Sequence, residues 1–305
     1  MKNFNFKKLL LNFFGIIKKK VNILFRIFKR SKTNITKPLK PNKLIYNKLI
    51  NDCIKNGYLT NNSKYVRELE IYLSTKYNSN PLLLTSSGTV ALQVLLSSLK
   101  KNKNKLEIIV PSYTFVASVS AIINTGFIPI FADIKRTNAT IDPVRVKELV
   151  NDRTLAIMGV HMFGNPCDHK SLSDIAKKHD IKIFFDASHA FNVRQNNQPI
   201  INFGDGSALS FHATKVFTTG EGGAIISSND ELINFSRKFI NHGIVNESEV
   251  GLIGCNGKMS EFNAIYGLST IDLIPKAIKK RKEIYNNYKK FFLKKNIKSE
   301  AKLDT

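Results

Sequence analysis

Between Pro81 and Ser228 the chain alternates short, almost wholly apolar runs with longer stretches whose apolar positions recur every three or four residues. Short apolar runs bounded by turn residues read as strands buried on both faces, and the 3.6-residue period reads as helix. Strands are predicted over Pro81–Leu84, Glu107–Pro111, Phe127–Asp133, Leu155–Val160, Ile181–Phe185, Ala208–His212 and Ala224–Ser228. Helices are predicted after Ser87-Gly88-Thr89, up to Asn124, from Asp142-Pro143, over Ser173–His179 and over Ile233–Ile240. Two further helical patterns, Lys43–Lys55 and Val66–Tyr77, precede this region, and two more, Glu261–Leu273 and Ile278–Lys294, follow it. Strands alternating with helices imply a mostly parallel sheet covered on both faces, a three-layer α/β/α fold.

The first 33 residues follow a different pattern. Paired charges at positions 7/8, 18/19 and 29/30 recur every 11 residues, close to three helical turns, while most of the leucine, isoleucine and phenylalanine falls opposite. A helix here is amphipathic and basic. Its longest uncharged run, Leu9–Ile17, is too short to span a bilayer. No small-residue cleavage site follows it, which argues against a secretory signal. It suits either an anionic membrane surface or a docking partner.

Charge sharpens that division. The chain of 305 residues carries a net +24, of which +14 lies in residues 1–51, which hold no Asp or Glu. The basic signal therefore belongs mainly to an appendage rather than to a nucleic-acid-binding body, and the mildly basic remainder suits a phosphorylated substrate. Cys53, Cys167 and Cys255 are scattered without metal-ligand spacing or an even framework, as in a reducing compartment.

The chemistry concentrates between Ile181 and Ser228. One predicted strand delivers Asp186 at its carboxyl end, and 29 residues later Lys215 follows another. Ligands of α/β proteins collect at such strand ends. An acid and an amine placed there suit a lysine that bonds to an aldehyde cofactor while the carboxylate keeps a ring nitrogen protonated. The Ser87-Gly88-Thr89 turn opens a helix, where unpaired amides favour a phosphate; taken alone it is equally a simple helix cap. Phe115, after the strand ending at Pro111, reads on its own as one core phenylalanine among 21.

Asp-Ala-Ser-His-Ala at 186–190, Ser-Phe-His-Ala-Thr-Lys at 210–215 and Gly-Glu-Gly-Gly at 220–223 resemble, in that order, the motifs of the DegT/DnrJ/EryC/StrS family of nucleotide-sugar aminotransferases. The resemblance runs from about Leu39 to about Lys295. It implies a fold-type-I transferase fold with pyridoxal 5'-phosphate as cofactor. Lys215 would be the covalent attachment point and Asp186 the partner of the ring nitrogen. Ser87, Gly88, Thr89 and Ser210 would hold the phosphate, Phe115 would stack on the ring and His189 would lie beside it. His161 corresponds to a structural position. Asn256, in a Gly-x-Asn-x-Lys-Met-Ser segment where the family has arginine in place of Lys258, would reach the phosphate of a partner subunit in a homodimer with shared active sites.

The resemblance further implies transfer of an amino group from L-glutamate to a dTDP-, UDP- or GDP-linked keto-deoxysugar, in the cytoplasm, for surface polysaccharide such as lipopolysaccharide O-antigen. Lysine rather than histidine at 215 favours transamination over dehydration. The expected organisation is a basic extension (1–35), an arm with helices (36–80), a large cofactor-binding domain (81–270) and the start of a smaller domain (271–305), most of which is absent. That absence supports a rival reading, a catalytically impaired cofactor-binding or membrane-associated scaffold, with the extension lying on the inner membrane. Nucleic acid is not an expected partner, and no metal site is predicted.

Overall fold

The computed structural model describes residues 36–99 and 104–295; the predicted amphipathic stretch at 1–33 lies outside them. The region from Pro38 onward forms one unit by its own contacts. It is built on a seven-stranded sheet: β1 (Leu82–Thr85), β2 (Glu107–Pro111), β3 (Ile128–Ala132), β4 (Thr154–Val160), β5 (Lys182–Asp186), β6 (Gly206–Ser210) and β7 (Gly223–Ile226). The spatial order is β1-β7-β6-β5-β4-β2-β3. All neighbouring pairs are parallel except those of β7, which runs antiparallel to both β1 and β6.

The strands read as continuous apolar runs because each face has its own core. Along β5, Phe184 points into one cluster with Ile108, Val110 and Leu92, while Ile183 and Phe185 point into another with Ile109 and Ile157. Along β7, Ile225 joins the first cluster, and Ala224 and Ile226 join a third with Phe211, Phe217 and Leu69. Alternation with period two sorts neighbours onto opposite faces, and both faces are covered by helices.

The helices are α1 (Lys43–Asn56), α2 (Lys64–Tyr77), α3 (Gly88–Ser97), α4 (Val116–Asn124), α5 (Pro143–Leu149), α6 (His169–His179), α7 (Asp230–Phe239), α8 (Glu261–Thr270) and α9 (Ile274–Lys294). Their starts follow cap chemistry. Side chains of Asn42, Ser87, Asp142, Asp168, Asn229 and Ser260 each accept a backbone N–H from the first turn that follows. The expected helix Glu261–Leu273 stops at Thr270, and a tighter turn at Ile271–Leu273 leads straight into α9. The strand expected at Ala208–His212 lies two residues earlier, because β7 pairs only as far as Ser210.

Two buried carboxylates tie α2 to the body. Glu70 accepts the Leu84 N–H at 2.9 Å on the open side of edge strand β1 and pairs with Arg237 at 3.3 Å. Glu261, fully buried, accepts the Tyr65 N–H at 2.7 Å and so caps α2, whose own N-cap Ser63 makes no side-chain cap bond. Burial pushes both carboxyl groups up from their ordinary range, against the pull of these N–H donors.

Candidate active site

The register of the sheet decides where the chemistry gathers. Asp186 is the last residue of β5, opposite Val160 on β4 and Ala208 on β6. Because β7 is antiparallel, its first residue, Gly223, meets the last residues of β1 and β6, pairing with Thr85 and Ser210. The start of α3 follows directly from β1, so a helix N-terminus, three strand ends and the turn carrying Lys215 converge.

Backbone packs on backbone here. A Cβ on Gly88 would lie 2.8 Å from the Ser210 Cβ, and one on Gly223 would lie 2.5 Å from both the Gly88 nitrogen and the Ser87 carbonyl carbon. No side chain fits at either place. Ser87 caps α3 through an Oγ that accepts the Val90 N–H at 3.2 Å. The first-turn amides of such a helix have no intrahelical acceptor and suit an anion.

A cleft of about 420 Å³ opens at this junction, and Ser87, Gly88, Thr89, Phe115, Asp186, His189, Ser210 and Lys215 all line it. Sequence reading named these eight. Asp186 is buried, its Oδ2 accepting from the Ser118 hydroxyl at 2.7 Å and its Oδ1 from the Ser188 N–H at 3.0 Å. Ser118 is itself 2.8 Å from the Thr114 hydroxyl. Lys215 is half-buried, which pushes its ammonium below the ordinary lysine range, while Asp186 acts in the opposite direction. His189 is likewise held below its usual value, first by burial and then by the charge of Lys215, with Asp186 opposing. Phe115 stands just before α4 and is 68% exposed, so it is a rim residue and not part of the core.

His161 lies in the wall of the cleft. It is fully buried, stacks on Phe185 with centroids 4.6 Å apart and accepts the Cys167 N–H on Nδ1. Burial, reinforced by His169, pulls its pKa down to about 3, leaving the ring neutral. Asn256 does not line the cleft. It lines a separate depression with Thr60, Asn61, Asn241 and Lys258, whose Nζ donates to Asn241 at 2.8 Å.

Sequence reasoning missed Ser118 and Ser188, which orient Asp186, and Phe163, whose N–H donates to Nδ1 of His189 at 3.2 Å. It also gave no role to Glu221, which lines the cleft with a carboxylate 3.5 Å from His212 Nε2. Ser188 lies inside the 186–190 motif and was open to notice; Ser118 lies 68 residues away and was not. Among the described residues no cluster of His, Cys, Asp and Glu is arranged to hold a metal, and no helix is long and apolar enough to cross a membrane.

The profile of the DegT/DnrJ/EryC1/StrS aminotransferase family matches residues 44–304. The chain belongs to this family. Among DegT/DnrJ/EryC1/StrS relatives, a dTDP-4-amino-4,6-dideoxy-D-glucose transaminase of Shigella dysenteriae is 38% identical over 218 residues, covering 72% of this chain and 59% of the relative. The solved structure of Helicobacter pylori PseC, an aminotransferase of pseudaminic acid biosynthesis, superposes with a TM-score of 0.80 at 29% identity, covering 85% of this chain and 70% of that one. A Streptococcus pneumoniae structure described as a sugar aminotransferase in its PLP form superposes with a TM-score of 0.78 at 25% identity, covering 85% and 71%. The chain thus spans about six-tenths of the length of the Shigella family member.

Proposed function

We propose that this protein is a pyridoxal phosphate-dependent aminotransferase that moves an amino group from L-glutamate to a nucleotide-linked keto-deoxysugar for surface polysaccharide. The observation that carries the reading is that Asp186 and Lys215 open into one cleft, beside a helix N-terminus kept bare by Gly88 and Gly223. Those residues fit the cofactor: a carboxylate for a ring nitrogen, an amine for an aldehyde, and free amides with the Ser87, Thr89 and Ser210 hydroxyls for a phosphate. Pyridoxal phosphate, when bound, supplies an electron sink for the substrate carbon that gains or loses a proton.

The protein's own groups do the rest. Asp186, held by Ser118 and Ser188, would favour positive charge on the ring nitrogen. Lys215, with its proton affinity lowered by burial, would be the covalent anchor for the cofactor's aldehyde and, as a free neutral amine, would carry a proton to and from the reacting substrate carbon. Phe115, at the rim of the cleft, would cover one face of the ring, and His189 would lie beside it. Asn256, which lines a separate depression, is assigned to a partner subunit's phosphate in a homodimer.

Adding pyridoxal phosphate to the purified protein is expected to produce a near-visible absorbance band. Glutamate should then shift it, and one nucleotide keto-sugar of a dTDP, UDP and GDP panel should restore it. A band unmoved by glutamate would leave the scaffold reading in place of the enzyme.

Residues 1–33 are assigned to peripheral contact with the inner membrane surface, on their basic amphipathic pattern. The full chain should sediment with phosphatidylserine vesicles, less so at high salt, and lose that binding when residues 1–35 are deleted. Equal binding by the deleted form would refute the assignment.

A further inference from the structure

The short turn Met162–Gly164 follows β4 at the cleft wall, and its backbone is strained. Phe163 has φ 56° and ψ 18°, and Gly164 has φ 87°. The left-handed region suits glycine, and a bulky side chain enters it only when its surroundings hold it there. They do so here. The His161 N–H donates to the Asp186 carbonyl at 3.0 Å, the Gly164 N–H to the His161 carbonyl at 3.1 Å, and the Asn165 N–H to the Met162 carbonyl at 2.9 Å. Asn165 Nδ2 adds a bond to the Asn138 carbonyl at 2.8 Å. A Cβ on Gly164 would meet the His189 carbonyl oxygen at 3.3 Å, so the turn lies against the His189 backbone.

Core packing does not account for this conformation, since the Phe163 side chain is 61% exposed. The His189 contacts do. The Phe163 N–H donates to His189 Nδ1 at 3.2 Å, and the two rings lie parallel, 4° apart in plane with centroids 5.9 Å apart. A nitrogen that accepts a hydrogen bond carries no proton, so in the neutral imidazole the proton must sit on the other nitrogen.

We propose that Phe163 is a positioning residue for His189: its strained backbone occupies Nδ1, fixes the imidazole proton on Nε2, and its ring sets the plane in which that donor is offered to the cleft. Burial and the nearby charge of Lys215 favour the neutral ring this requires, against the opposing pull of Asp186. An imidazole so fixed donates to an anionic oxygen on a bound aromatic ring and cannot accept from it. That use of the donor rests on the cofactor reading; the tautomer itself does not.

Nitrogen NMR of the full-length protein labelled with 15N-histidine, at neutral pH and before any cofactor is added, reads the tautomer directly. His189 signals are assigned by their loss in His189→Gln. The expected result is an unprotonated Nδ1 and a protonated Nε2. Phe163→Gly and Phe163→Asn, which keep the N–H and tolerate the left-handed backbone, should retain that pattern. Phe163→Val, β-branched and disfavoured at positive φ, should shift the tautomer ratio about fivefold toward Nδ1–H, the effect of losing one ordinary hydrogen bond. Should the valine variant not fold, phenyllactate at position 163, which replaces the N–H with an ester oxygen, makes the same comparison. A wild-type proton on Nδ1, or an unchanged ratio in the folded valine or ester form, would overturn the assignment. A failed pyridoxal phosphate titration would count against the proposed function and not against this tautomer.

Discussion

Lys215→Ala is expected to lower turnover at least about 10⁴-fold, because in the proposed function one side chain would supply both the covalent attachment and the proton carrier. Positioned proton transfer alone is worth about 10²- to 10⁴-fold. The structure gives the amine what both tasks require: it shares a cleft with Asp186 and is half-buried, so its neutral form is more accessible than that of a solvated lysine. The alanine form should still bind pyridoxal phosphate through the Ser87–Thr89 turn, without the covalent band. Its unfolding midpoint should stay close to that of the parent, since the lysine lies outside the core clusters. Single-turnover absorbance with glutamate measures the rate, and a residual rate within 100-fold of the parent would sink the role of Lys215.

The second large effect is expected for Asp186→Asn, which keeps the shape and removes the charge. A unit charge about 4 Å from a cationic ring nitrogen contributes about 4 kcal/mol at the effective dielectric of a partly buried site. Its loss corresponds to a drop of about 10²- to 10³-fold in turnover. Stability should fall as well. Asp186 satisfies two donors, the Ser118 hydroxyl and the Ser188 N–H, with separate oxygens, and an amide has only one carbonyl oxygen to offer. A frustrated buried donor costs about 1–3 kcal/mol. Steady-state kinetics and urea unfolding on the same preparation measure both effects. Turnover within tenfold of the parent would show that the carboxylate does not face the reacting ring.

Most of the fold was legible because it is written in periodicity. A strand stretch such as Ile108–Val110 is apolar on both faces, since helices cover both sides of the sheet, and it appears in the sequence as an unbroken run. Errors fell at boundaries. Ala208–His212 looks like a strand, yet pairing ends at Ser210, because Gly223 opposite it begins β7. Glu261–Leu273 looks like one helix, yet the last turn tightens where α8 meets α9. The antiparallel sense of β7 was not legible at all, since a strand's own pattern carries no information about the direction of its neighbours.

The candidate site divides in the same way. Eight residues named from motifs line one cleft, and Asn256 lines another depression. Other groups that the tertiary structure puts to use carried no such signal. Ser118 looks like an ordinary helical serine, Phe163 like one aromatic among many, and Glu70 and Glu261 like surface carboxylates until burial shows otherwise.

The sequence by itself determined the chemical inventory: an acid and an amine at strand ends, a small-residue turn before a helix, and the alternation that makes a three-layer sheet. Only the tertiary structure decided how those pieces meet. Strand register placed Asp186, Ser210 and Gly223 at one end, and chain segments 68 and 26 residues apart came together to bond Asp186 with Ser118 and His189 with Phe163. The reason is physical. Local pattern reports which side of an element avoids water, but a hydrogen bond between distant segments depends on distances set by the packing of the whole core.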